Sequence, residues 1–216
     1  MSSIHNRYKF ISVNPRDKEW GLSILSAGYQ DIVPGTDYSK NEYPPEYSID
    51  TEKGRIVYEY QLILITDGKG TFTSSKGGTH EVHGGDMFML FPGEWHKYCP
   101  QKDCGWKEYW IAFNGGFIDH RCERAFFSPE KPVFKIADIG TMVSLYKEAI
   151  IIANEQKPYF QQLLAGIVNH MLGIMLSSAA SLEFEKEGRY GEIVNKAKAL
   201  FQEEIDSELV LTEIAE

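Results

Sequence analysis

The sequence predicts an α+β protein, a small antiparallel β-barrel followed by a helical segment. Three observations lead there. Short stretches rich in β-branched and aromatic residues, bounded by turn residues, recur up to about residue 116, the pattern of a barrel or sandwich. One of them, Gly84 to Tyr98, runs from a Gly-Gly-Asp turn through an apolar stretch and a Pro-Gly turn to a Trp-His-Tyr cluster. A turn, a short buried strand and a polar-aromatic mouth are how a small barrel builds a pocket. After Asn114-Gly115-Gly116 the apolar spacing becomes three and four, the helical period.

In chain order, residues 1–19 are polar with a short apolar run from Tyr8 to Val13, and read as an arm with room for one strand. Residues 20–116 are assigned to the barrel. Trp20 to Gln30 suits a strand. Asp31 to Gly54 is a loop holding Pro34, Pro44, Pro45, Tyr38, Tyr43 and Tyr47. A proline-stiffened, tyrosine-rich loop of this length is either a functional lid or a cover packed over the barrel end. Arg55 to Thr66 is a strand, Asp67 to Gly70 a turn, and Thr71–Ser74 and Thr79–His83 are strands around the hairpin signal Lys76-Gly77-Gly78. Pro100 to Gly105 is a loop and Trp106 to Phe113 another strand.

Residues 117–186 read as helical. Phe117 to Ala125 is a short helix, Pro129 to Ile136 a connector, and Thr141 to Glu155 a helix. Pro158 is expected to open the next helix, where its missing N–H costs nothing, and that helix runs to about Ser181. On it Phe160, Leu164, Ile167, Met171, Ile174 and Ser178 recur at helical spacing, and Leu163, Val168, Leu172 and Met175 widen the stripe. So broad a face calls for a second helix, a second subunit, or both. A further helix is expected over Tyr190–Glu204, then a break at Asp206–Glu208 and a new element with Thr212 as its N-cap. The chain stops four residues later, so it is expected to end inside a domain.

Composition narrows the function classes. The net charge is -9, which argues against a broad basic surface for nucleic acid. Residues 187–216 carry Arg189, Lys196 and Lys198 against eight acidic residues. The start of the chain has no apolar signal region, and the three cysteines, Cys99, Cys104 and Cys122, form an odd set. That combination reads as a reducing, cytoplasmic setting with free thiols, although Cys99 and Cys104 could close a loop. No uninterrupted apolar run approaches the ~20 residues of a membrane span. Gly-x-Ser-x-Gly and phosphate-cradling glycine loops are absent, so no catalytic residue is assigned and no cofactor is expected.

Three stretches together resemble the N-terminal region of AraC-type transcriptional regulators: Glu59 to Gly70 (EYQLILITDGKG), Gly85-Asp86 through Pro92-Gly93 to His96-x-Tyr98, and Gly105-Trp106 to Gly115. The match covers roughly residues 20–116. It implies a cupin-like, jelly-roll barrel that binds a small effector, followed by a helical dimerisation segment over 117–186. Ile193 to Gln202, with Leu209 to Ala215, resembles the start of that family's DNA-binding region. Residues 187–216 are thus expected to be a linker and the truncated start of a helix-turn-helix domain. DNA binding would then belong to a longer protein, and the helix over 158–181 would pair with its copy in a homodimer.

The site is sought on the strand after Gly105. Trp106, Glu108 and Trp110 alternate and so share one strand face. A carboxylate between two indoles suits a sugar: aromatic faces stack on C–H faces and the carboxylate accepts from hydroxyls. Arg55, His96, Tyr98, Glu108 and Trp110 are the candidate ligand-binding residues. The resemblance implies that sugar-sensing relatives carry aromatic or polar side chains at the places of Tyr98, Glu108 and Trp110, and an arginine near that of Arg55, a place Lys53 also fits. His96 stands where cupin enzymes have their last metal-ligating histidine, but the preceding His-x-His is missing. His80 and His83 are three apart on a strand and so point to opposite faces. His96 is therefore read chiefly as a pocket-rim or turn histidine bonded to backbone, and no metal is expected. The alternative function is a stand-alone, metal-dependent cupin isomerase or dioxygenase.

Overall fold

The computed structural model describes residues 6–36, 38, 50–186 and 193–196. Its strands are β1 (Asn6–Phe10), β2 (Ser23–Ile32), β3 (Arg55–Ile56), β4 (Tyr60–Ser74), β5 (Gly78–His83), β6 (Asp86–Leu90), β7 (Trp95–Pro100), β8 (Trp106–Asn114) and β9 (Val133–Lys135). One sheet runs β1-β2-β8-β4-β6-β9, and β3, β7, β4 and β5 make the other side. Every pairing is antiparallel. The result is the cupin-like α+β fold the sequence predicts: an antiparallel barrel backed by helices.

The barrel closes because β4 belongs to both sides. Residues 60–68 pair with β8, and 69–74 pair with β5 and β7. The sequence reading placed a turn at Asp67–Gly70 and a separate strand at Thr71–Ser74. Instead the strand continues through a bulge between Ile65 and Asp67. Bulges and glycines bend a strand without ending it. Gly68 has φ +82° and lies so close to β8 that a Cβ there would stand 2.2 Å from the Gly105 carbonyl oxygen.

Alternation along β4 sorts two cores. Leu62 and Leu64 face the helices, while Ile63 and Ile65 face the barrel interior. A strand buried on both faces reads as an unbroken apolar run, and Leu62 to Ile65 does. The segment read as an arm supplies β1, an edge strand on β2, and α1 (Pro15–Glu19), capped by Asn14 and Asp17 in a capping box.

The helices α2 (Gly116–Glu123), α3 (Ile139–Glu155) and α4 (Phe160–Lys186) follow. Asp138 caps α3 by accepting from the Thr141 N–H. Tyr146 of α3 donates to the Leu62 carbonyl at 2.9 Å. Gln161 of α4 bonds both the N–H and the C=O of Ile24 at 2.9 Å, beside the bulge in β2. These two contacts fix both helices on the outer face of the larger sheet.

Several expectations change here. Pro158 does not open α4: Tyr159 has φ +63°, a left-handed conformation, and the helix begins at Phe160. Most of the stripe on α4 is covered within the chain, by α3 and the sheet, and Leu163 is not. Leu164, Val168, Met171 and Met175 are fully buried and Ile167 nearly so, against α3 and the sheet. The outward side is Leu163, Gly166, His170, Gly173 and Ser177. By length and composition Phe160–Leu182 could cross a membrane, but 44% of it is buried inside the fold, as in a core helix. The connector at 129–136 contains β9, which pairs with β6. Residues 193–196 are helical; the rest of the helix expected over 190–204, the break at 206–208 and the Thr212 cap lie outside the described residues.

Candidate functional site

The inner face of β8 is the centre of the site. Trp106, Glu108 and Trp110 all turn inward and are buried, as their two-residue spacing requires. Opposite them stands β7, with His96 and Tyr98 two residues apart and also buried. Arg55, on β3, pairs with His96 across the strands. The Pro92-Gly93 turn sets this register: Gly93 has φ +75° and its N–H bonds to the Val57 carbonyl. All five residues singled out from sequence therefore meet in the barrel interior.

Their contacts form two linked groups. The Arg55 Nε donates to His96 Nε2 at 3.4 Å, and an Arg55 terminal nitrogen to the Tyr98 hydroxyl at 3.4 Å. Because Nε2 accepts, the His96 proton sits on Nδ1, 3.2 Å from the Glu94 carbonyl oxygen. Burial first, then the Arg55 charge, pushes the His96 pKa down to about 4, so the ring is neutral. Burial likewise raises the Tyr98 phenol.

The second group centres on Glu108. Its carboxyl accepts from the Tyr38 hydroxyl, whose one proton is shared between the two oxygens at 2.9 and 3.1 Å. Burial pushes it up to about 7; the Tyr38 bond, Arg55 and the Trp106 indole pull the other way. The Tyr38 ring lies 6.0 Å from both Tyr98 and Trp106. The Trp106 Nε1 is buried and, among the described residues, has no acceptor in hydrogen-bonding geometry.

Trp110 is positioned from outside β8. It pairs across the sheet with Gly28, where a Cβ would stand 2.3 Å from the indole. Gly28 in turn pairs with Tyr8 of β1, whose ring lies 6.3 Å from that of Trp110. Sequence reasoning missed Tyr8, Gly28 and Tyr38 as parts of the site, and gave Trp106 no ligand role. Tyr38 carried one signal, its place in the tyrosine-rich loop, but nothing distinguished it there from Tyr43 and Tyr47, which lie outside the described residues.

The histidines outside the site have other partners. His80 bonds the Gly77 carbonyl at 2.8 Å, and His83 faces Glu81 and Asp86. Among the described residues no three His, Cys, Asp or Glu side chains stand close enough to hold a metal. Cys99, Cys104 and Cys122 are free thiols. Chemically, the interior offers donors from Arg55, Tyr98, Tyr38 and Trp106, one carboxyl acceptor, and aromatic faces. A concave apolar space with a few convergent polar groups is the general form of a small-molecule site.

Fold and site together define a small-molecule-binding barrel domain. The family described as the AraC-like ligand binding domain matches residues 50–190. That is well over half of the chain, and the chain belongs to this family. It is similar to the raffinose operon transcriptional regulatory protein RafR of Pediococcus pentosaceus, 27% identical over 100 residues, 46% of this chain and 31% of that protein. It is also similar to the lactose operon transcription activator of Staphylococcus xylosus, 39% identical over 54 residues, 25% of this chain and 19% of that protein. The aligned parts thus span less than a third of either relative. Among solved structures, protein YhaK of Escherichia coli aligns with a TM-score of 0.36 at 15% identity, over 51% of this chain and 44% of that one. A cupin protein of Bacteroides fragilis aligns at 0.31 and 16%, over 44% and 68%. Likenesses this slight carry nothing about the site.

Proposed function

We propose that this chain is the effector-sensing and dimerisation part of an AraC-type transcriptional regulator. Its barrel binds a carbohydrate, and it acts in the cytoplasm without catalysing a reaction. DNA binding belongs to helix-turn-helix units of the longer protein. The observation that carries the reading is the β8 wall, where the Glu108 carboxyl is flanked by two indoles and faced by Tyr98 and Arg55. A carboxyl accepts from sugar hydroxyls, and indole faces pack on the C–H faces of the ring. Support also comes from the two relatives, whose names place them at raffinose and lactose operons.

Dimerisation is proposed through the outward side of α4. Between Phe160 and Leu182 the helix has no Asp, Glu, Lys or Arg, and Leu163 is 56% exposed. A solvated helix face normally carries charge, so this one is read as covered by a second copy.

The test is a thermal-shift screen with galactose, lactose, raffinose and their component sugars, followed by calorimetric titration of any hit. A ligand of the folded barrel raises its melting temperature by mass action. A panel in which no saccharide shifts it would overturn the carbohydrate reading.

A further inference from the structure

The Tyr38 hydroxyl satisfies the Glu108 carboxyl as a ligand hydroxyl would. Its single proton is shared between the two oxygens, at 2.9 and 3.1 Å. Its ring stands among the aromatic side chains of the interior, 6.0 Å from Tyr98 and 6.0 Å from Trp106, and is 6% exposed. Tyr38 is not part of a barrel strand; it lies between β2 and β3. Beside it the buried Trp106 indole N–H is near enough to the same carboxyl to lower its pKa, but among the described residues no acceptor meets it in hydrogen-bonding geometry. A buried donor left unpaired costs about 1–3 kcal/mol. The wall therefore holds one acceptor that is satisfied from within and one donor that is not.

We propose that Tyr38 is an internal occupant of the effector subsite, standing in for one effector hydroxyl on Glu108. The effector expels the phenol, takes its place on the carboxyl, and accepts a second hydrogen bond from Trp106 Nε1 through a neighbouring oxygen. The subsite so defined reads two adjacent oxygens of a polyol, one as donor and one as acceptor. Binding of the effector is thereby tied to release of Tyr38. The proposal rests on the barrel interior being the effector site, and it adds how that site is held when empty.

Two experiments test it. In the first, galactose, lactose and raffinose are titrated calorimetrically into the wild type, Tyr38→Phe and Trp106→Phe. Losing the competing hydroxyl in Tyr38→Phe should tighten binding about threefold or more, the equivalent of one neutral hydrogen bond. Trp106→Phe should weaken it about tenfold by the same reasoning. Weaker binding by Tyr38→Phe would make Tyr38 a fixed wall contact and overturn the proposal. The second needs no saccharide. p-Cresol, the detached side chain, is titrated into Tyr38→Ala and the wild type. Saturable binding to Tyr38→Ala alone, restoring its melting temperature, is the expected result. No binding there would mean that the place cannot be exchanged, and the proposal falls whatever the sugars do. Should p-cresol bind as expected while no saccharide binds any form, the occupant stands and the carbohydrate reading falls.

Discussion

Glu108 and His96 are both buried, and their pKa values are shifted in opposite senses, which gives the site a distinctive dependence on pH. The folded-state pKa of Glu108 is raised to about 7. Its contribution to stability is therefore complete below the ordinary carboxyl range and is lost as pH rises toward 7. That of His96 is lowered to about 4, so its contribution is present above about 6.5 and is lost as pH falls toward 4. Between about 4.5 and 6.5 the two slopes oppose one another. Glu108→Gln removes the first slope, so its unfolding free energy relative to the wild type, read from denaturant titrations, should climb steadily from pH 4.5 to 7, by an amount on the order of 3 kcal/mol. A constant difference across that range would show that the carboxyl does not titrate as its burial demands. Gly28 offers a second test at this scale. The Cβ of Gly28→Ala would meet the Trp110 indole at 2.3 Å. Overpacking of that kind costs about 1–3 kcal/mol, and the tryptophan band in near-UV circular dichroism should change with it. An unaltered band would mean that Gly28 does not position the indole.

Helix α4 presents a buried face and an exposed one, and substitution tests the dimer contact proposed for the second. Leu164 is fully buried against the sheet and α3. Leu164→Glu puts a carboxylate in that core and should cost about 4 kcal/mol or more, enough to unfold a marginal domain. Leu163, one residue away, is 56% exposed. Leu163→Glu should leave the melting temperature within a few degrees and shift the sedimenting species from dimer to monomer. Wild-type sedimentation by a folded Leu163→Glu protein would mean that this side of α4 is not the contact. The sequence announced the helix, since its period is regular, but not which side faced inward. Both sides are nearly free of charge, so polarity, the usual label of the solvent side, was missing. The same limit explains β4. Asp67-Gly68-Lys69-Gly70 has turn composition, and only the approach of the Gly68 backbone to Gly105 marks those glycines as serving a bend within one strand.

For the molecule as a whole, the barrel and the helices are joined through β8. Glu108 and Trp110 face the barrel interior, while Tyr109 and Ile111, between and beyond them, face the helical side. The Tyr109 ring lies 5.6 Å from that of Tyr146 on α3, and Tyr146 is bonded to the Leu62 carbonyl. Under the proposed function, a strand shared in this way would let one ligand bias the packing of both layers, as control of another domain requires. The β8 wall was the most legible part of the site, because a period of two fixes a common face without knowledge of the fold. Tyr8 and Tyr38 were not legible. Tyr38 reaches the interior from a connecting segment and Tyr8 approaches Trp110 from an edge strand, and their positions depend on long-range packing that local spacing does not encode. The central claim is that the interior wall of β8 is a carbohydrate site. Calorimetric titration of the best saccharide from the galactose, lactose and raffinose panel into the wild type and Trp110→Ala tests it most directly. Saturable binding by the wild type that falls about tenfold or more in a folded Trp110→Ala protein is the predicted result, and unchanged affinity in that variant would contradict it.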